Sequence, residues 1–83
     1  MIMSAGHDVH NLVSQIILKK GVYDASTATN KVGISVRVMV KRPNQRQRVI
    51  RDWHLGFESP DFTETLKEVK HDLREFINEM DGD

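Results

Sequence analysis

From Lys31 to Lys41 the chain alternates without a fault. Val32, Ile34, Val36, Val38 and Val40 hold the even positions, and Lys31, Gly33, Ser35, Arg37, Met39 and Lys41 the odd ones. Successive side chains on a strand point to opposite faces, so this pattern predicts a β-strand with one buried face. From Arg48 to Phe57 the odd positions Val49, Trp53, Leu55 and Phe57 are apolar, with Arg51 interrupting the row. A second strand follows, and the two rows can share a face only in certain registers.

Paired residue numbers must sum to an odd number, so the connection must hold an even count of residues. A two-residue loop of Pro43-Asn44 is disfavoured, because the primed hairpin turns need a positive φ at their first position and proline cannot supply it. The predicted sum is 89, with Asn44-Gln45 as the turn or Pro43–Arg46 as a wider loop. The outer face then pairs Arg37 with Asp52, Met39 with Ile50, Ser35 with His54 and Gly33 with Gly56. Opposite charges meet and apolar meets apolar, as cross-strand pairs prefer.

Ser59-Pro60 predicts a helix start, a serine cap followed by proline at the first helical position. Phe62, Leu66, Val69, Leu73, Phe76 and Met80 follow at helical spacing. Glu64, Glu68, Asp72, Glu75 and Glu79 form an acidic stripe beside them, and Lys67, Lys70 and Arg74 a basic one. Only two residues separate Phe57 from Pro60, so this helix must double back along the hairpin and cover its apolar row. Upstream, Val9, Leu12, Val13, Ile16 and Ile17 predict a helix over 7–20, capped by Ser4 or Asp8 and stopped at Gly21. Residues 21–30 read as a loop, with a short extended piece at Val22-Tyr23. The expectation is an α+β fold, a two-layer α-β-β-α unit: an antiparallel hairpin packed against a long C-terminal helix, with an N-terminal helix.

At 83 residues, with 39% hydrophobic and 29% charged, the chain reads as one globular domain over 1–83, fraying at 1–6 and 81–83. Zero cysteines remove disulfides, thiolate metal sites and cysteine nucleophiles, which suits a reducing cytoplasm. The opening Met-Ile-Met-Ser-Ala-Gly lacks the basic flank and long apolar stretch of a signal peptide, and no apolar run approaches a membrane span.

Little in the sequence speaks for catalysis. His7, Asp8 and His10 cluster near a helix start, but two histidines and one carboxylate are a weak metal signal, better read as solvated surface. Asp52-Trp53-His54 puts a carboxylate and an imidazole on one outward face, with no nucleophile or glycine-rich turn beside them. The five glycines are dispersed, so no phosphate loop is present. The expectation is a non-enzymatic protein with no catalytic residue, no metal and no cofactor.

Charge is the feature above background. Nine of the 12 basic residues precede Asp52, and ten of the 12 acidic ones lie from Asp52 onward, so a net charge of zero hides two oppositely charged halves. The run Ala25–Arg51 contains no acidic residue at all. Its candidate nucleic-acid contacts are Arg37, Lys41, Arg42, Asn44, Arg46 and Arg48, with Gln45 and Gln47 interleaved. Guanidinium forks suit phosphates, amides suit base edges, and a two-stranded ribbon fits a major groove. The opposing expectation is neutralisation by the acidic helix, which brings Asp72, Glu75 and Glu79 toward the tip. Arg51, stranded on the buried face, needs one of those carboxylates.

The alternative is a protein-protein module, or a small regulatory or inhibitor protein, acting through the sheet's outer face or edge. Met39 and Ile50 form an apolar pair within a charged rim. Either the first helix covers that pair or another chain does, and a free strand edge invites a homodimer. The expected partners are therefore nucleic acid or protein, with no membrane.

The hairpin, the Gly56-Phe57 exit and the long helix after it resemble the arm-type DNA-binding domains of tyrosine integrases. The resemblance covers residues 31–80, rests on topology, and implies DNA contact through the small sheet. Those domains carry three strands and a more basic helix start, where this chain shows two clear strands and the acidic Glu58 and Asp61.

Overall fold

A computed structural model describes residues 2–82, and side chains from residue 6 onward. Five elements follow one another: α1 (Ile2–Lys19), β1 (Tyr23–Thr29), β2 (Gly33–Val40), β3 (Arg48–Gly56) and α2 (Phe62–Asp81). The strands form one antiparallel sheet in the order β1-β2-β3. The α+β expectation therefore holds, with a third strand where a loop was predicted.

That strand, YDASTAT, pairs from Tyr23↔Val40 to Thr29↔Ile34. Only Ala25 along it is buried, so no apolar alternation announces it. It forms because β2, whose own edge would otherwise lie open, gives it backbone partners along its whole length.

Both helices lie on one face of this sheet. Val9, Leu12, Val13 and Ile16 of α1 join Ile34, Val36, Val38 and Leu55 of the sheet and Val69, Leu73 and Ile77 of α2 in one buried cluster. Each such side chain contributes about 1.5–3 kcal/mol when fully buried. Because α1 sits beside α2, it does not cover the outer face, and of the two alternatives for the Met39 and Ile50 pair, cover by the first helix fails. The same placement explains Ile77, which lies outside the predicted stripe of α2 and is 7% exposed. A helix flanked by a sheet and a second helix buries a wider sector than one laid on a sheet alone.

The element ends depart from expectation in four places. α1 begins at Ile2, so residues 2–6 are helical, and Asp8 sits within the helix, where its carboxylate meets Lys70 at 3.7 Å. Met1 and Asp83 lie outside the described residues. Lys20, not Gly21, adopts the left-handed conformation that ends α1, with φ 52°. α2 begins at Phe62 behind a turn, and Ser59 donates a hydrogen bond to Asp61 instead of capping the helix. Val32 precedes β2 and is 69% exposed. Next to it, Gly33 is required by a close approach: a Cβ there would stand 2.2 Å from the Leu55 carbonyl oxygen.

Register is the sharpest test of the sequence reading. From Gly33↔Gly56 to Val38↔Arg51 every pair sums to the predicted 89. Then a β-bulge intervenes, and Met39 pairs with Val49 and Val40 with Arg48. Ile50 is the extra residue. It packs against the core cluster, while Val49 turns outward and is 46% exposed. The bulge also changes the parity of the connection, which now runs over residues 41–47.

Candidate nucleic-acid interface

The hairpin tip is built by a turn that the sequence reading excluded only for tight hairpins. Gln45 N–H donates to the Arg42 carbonyl at 3.1 Å, and Asn44 has φ 64°. Proline at the second position and a positive φ at the third are the marks of a type II turn. The turn is accommodated because it sits inside a longer connection instead of joining the strands directly.

This turn sets the candidate contacts. Arg42, Gln45, Arg46 and Arg48 line a shallow recess of about 150 Å³ against Val40. All four polar residues are exposed, and no carboxylate lines the recess. Arg42, Arg46 and Arg48 make no ion pair among the described residues. Asn44 is exposed at the turn itself.

The other cations of the hairpin are engaged. Arg37 meets Asp52 at 3.7 Å on the outer face, the cross-strand pair the register requires. Lys41 meets Asp24 at 3.7 Å, a partner supplied by β1. Arg51 meets Asp72 of α2 at 3.8 Å and lies over Phe76, 5.9 Å from the ring centroid. Neutralisation by the acidic helix is thus real at Arg51 and stops there. Asp72, Glu75 and Glu79 line a separate groove of about 400 Å³ with Arg51, Phe76 and Asn78, and Glu79 accepts a hydrogen bond from the Tyr23 hydroxyl at 2.9 Å.

The predicted apolar pair is revised by the bulge. Met39 stands on the outer face opposite Val49, and Ile50 belongs to the core side. Gln47 holds this corner, its amide nitrogen lying 3.3 Å from both an Asp24 carboxylate oxygen and the Met39 sulfur.

The outer face also brings Ser35 beside His54, the cross-strand pair the predicted register already set. Ser35 Oγ lies 3.2 Å from His54 Nδ1, and His54 Nε2 lies 3.5 Å from Asp52. A hydroxyl therefore does stand beside Asp52-Trp53-His54, contrary to the expectation that no nucleophile accompanies them. Its surroundings are open, with the His54 side chain 71% exposed. The nearby Val32 and Gly33 amides both donate to Asn30 Oδ1, so neither is directed at the serine as an oxyanion donor. His7 and His10 are exposed on α1, and among the described residues no group of three or more His, Asp or Glu is placed to hold a metal ion. No described helix is long and apolar enough to cross a membrane.

The arginine recess could be found in sequence only through composition, since its shape depends on the turn and the bulge. No family model, curated protein or solved structure matches this chain.

Proposed function

We propose that this domain is a non-enzymatic binding module that contacts nucleic acid, DNA in the first instance, through the tip of the β2–β3 hairpin. The observation that carries the reading is the division of charge. Arg42, Arg46 and Arg48 stand exposed without an ion pair among the described residues, while Asp72, Glu75 and Glu79 of α2 are gathered over a different groove. Arginine forks at a ribbon tip match phosphate oxygens, and Asn44 and Gln45 between them can reach base edges. Arg37 and Lys41 stand behind the tip, each already sharing a carboxylate. The lack of cysteine fits a reducing compartment, and we place the protein in the cytoplasm.

The experiment is fluorescence anisotropy with duplex and single-stranded DNA. Three to four phosphate contacts predict a fall in affinity of roughly 40- to 150-fold between about 50 and 200 mM salt. Changing Arg42, Arg46 and Arg48 together to Gln should abolish binding and leave the circular dichroism of the fold unchanged. Equal binding by the triple variant would move the site elsewhere on the domain.

A second reading is favoured by one specific observation, the uncovered outer face with Met39 and Val49 side by side. A protein partner, including a second copy of this chain, would bury that pair or extend the sheet at β1. Wild-type protein that binds neither form of DNA would put this reading first.

A further inference from the structure

We infer that the recess at the hairpin tip is a seat for one phosphate group, an inference that rests on the reading of the hairpin as a nucleic-acid contact. Arg42, Arg46, Arg48 and Gln45 line the space, and every one of these side chains carries N–H donors. Val40, 8% exposed, forms the apolar wall. Like charges gathered against an apolar wall repel, and no carboxylate of the recess relieves them. An anion does.

Donor geometry selects which anion, and a recess of about 150 Å³ has room for a tetrahedral phosphate. Planar forks from several directions also suit a tetrahedron of oxygens better than they suit a single-atom anion such as chloride.

The seat is held by backbone. The Gln45-to-Arg42 hydrogen bond closes the turn, and Asn44 takes the left-handed conformation that turn needs. Arg48 is fixed across from Val40 by the bulged register. The turn and the sheet therefore set the backbone positions of Arg42, Gln45 and Arg48, and their exposed side chains close on a ligand from there. A tip of this kind grips one phosphate and sets the register of the hairpin on a strand, instead of spreading weak contacts along it.

The test is an NMR titration of the full chain with inorganic phosphate against sodium chloride at matched ionic strength, with duplex binding measured in parallel. Saturable shifts at the amides of Arg42, Gln45, Arg46 and Arg48 are expected with phosphate and not with chloride. Arg46→Gln should weaken phosphate binding about tenfold, in line with the loss of one charge-assisted hydrogen bond. Arg46→Lys, which keeps the charge and loses the fork, should weaken it as well. Lys67→Gln, a change on the exposed face of α2, should have no effect.

Shifts that never saturate, or that are as large around Lys67 and Arg74 as at the tip, would overturn the seat. So would phosphate binding that survives both Arg46 variants. Duplex binding without a saturable phosphate response would sink the seat and leave the nucleic-acid reading standing on diffuse charge. Saturable phosphate binding without duplex binding would do the reverse, keeping the seat and pointing to a smaller phosphate compound.

Discussion

At its base the β2–β3 hairpin runs in one unbroken register from Gly33↔Gly56 to Val38↔Arg51, and at its tip, past Ile50, that register slips by one residue. The base lies under the helices, with Ile34, Val36, Val38 and Leu55 no more than 2% exposed. The tip lies beyond them, and residues 41–49 are exposed without exception. Even the arginines differ. Arg51, the last residue before the slip, is matched to Asp72 and Phe76, whereas Arg48 just beyond it has no carboxylate. Arg51, expected on the buried face, is exposed, its side chain at 51%, and the register of the buried row turns it toward α2 and the Asp72 carboxylate. Where no buried row dictates side-chain direction, the backbone is free to bulge and turn, and cations can be held ready for something outside the chain. The comparison can be broken or sharpened by five substitutions.

The largest effect belongs to the covered base. Leu73 is 0% exposed at the centre of the cluster, and Leu73→Ala should cost about 2–5 kcal/mol. Chemical denaturation measures it, and a loss below about 0.5 kcal/mol would mean that α2 contributes little to the sheet's cover. Gly33→Ala comes next. The Leu55 carbonyl oxygen stands where the new methyl would go, so the strands must part locally, at about 1–3 kcal/mol. An unchanged midpoint would show that the end of the hairpin yields freely.

The next two substitutions compare the two kinds of arginine on one strand. Arg51→Gln should cost about 0.5–1 kcal/mol, because it removes a half-exposed ion pair and a cation–π contact. Arg48→Gln should stay within about 0.5 kcal/mol of wild type and weaken ligand binding instead. Equal losses of stability at the two positions would erase the distinction between base and tip.

The same division governs what could be read from the sequence. The register of the base was legible because Val36 and Val38 face Trp53 and Arg51 on a buried side, and a slip of one residue would have turned that whole row to water. The bulge was not legible. Val49 and Ile50 are both apolar, so either could take the inward position, and only packing against the core decides for Ile50. β1 escaped notice for a different reason. Its inward positions, Tyr23, Ala25, Thr27 and Thr29, hold only one fully buried residue, and a strand at a sheet edge needs little apolar surface when its neighbour supplies the hydrogen bonds. The two β-branched threonines, spaced by two, were the faint signal available. At the tip, composition revealed the arginines but not the recess they line, because the Pro43-Asn44 turn works only inside a connection whose length the bulge resets.

The last substitution, the one that decides how the sheet ends, is at Asp24. The pairing of β1 with β2 alternates, so the backbone groups of Ala25 and Thr27 point away from β2, toward the edge. An edge of this kind recruits further strands unless something guards it. The Asp24 carboxylate accepts a hydrogen bond from the Ala25 N–H at 3.0 Å, and among the described residues Lys41 alone balances its negative charge, at 3.7 Å. Two copies joined antiparallel through β1 would therefore lose a hydrogen bond at each Ala25 and bring two carboxylates near each other. Asp24→Ala removes both obstacles at a cost to the monomer of about 0.5–1.5 kcal/mol. Sedimentation equilibrium at tens of micromolar should show the variant shifted toward the dimer relative to wild type, whose single chain weighs 9.5 kDa. If the variant and wild type sediment alike, the carboxylate is no guard, and any second copy must dock instead on the outer face beside Met39 and Val49.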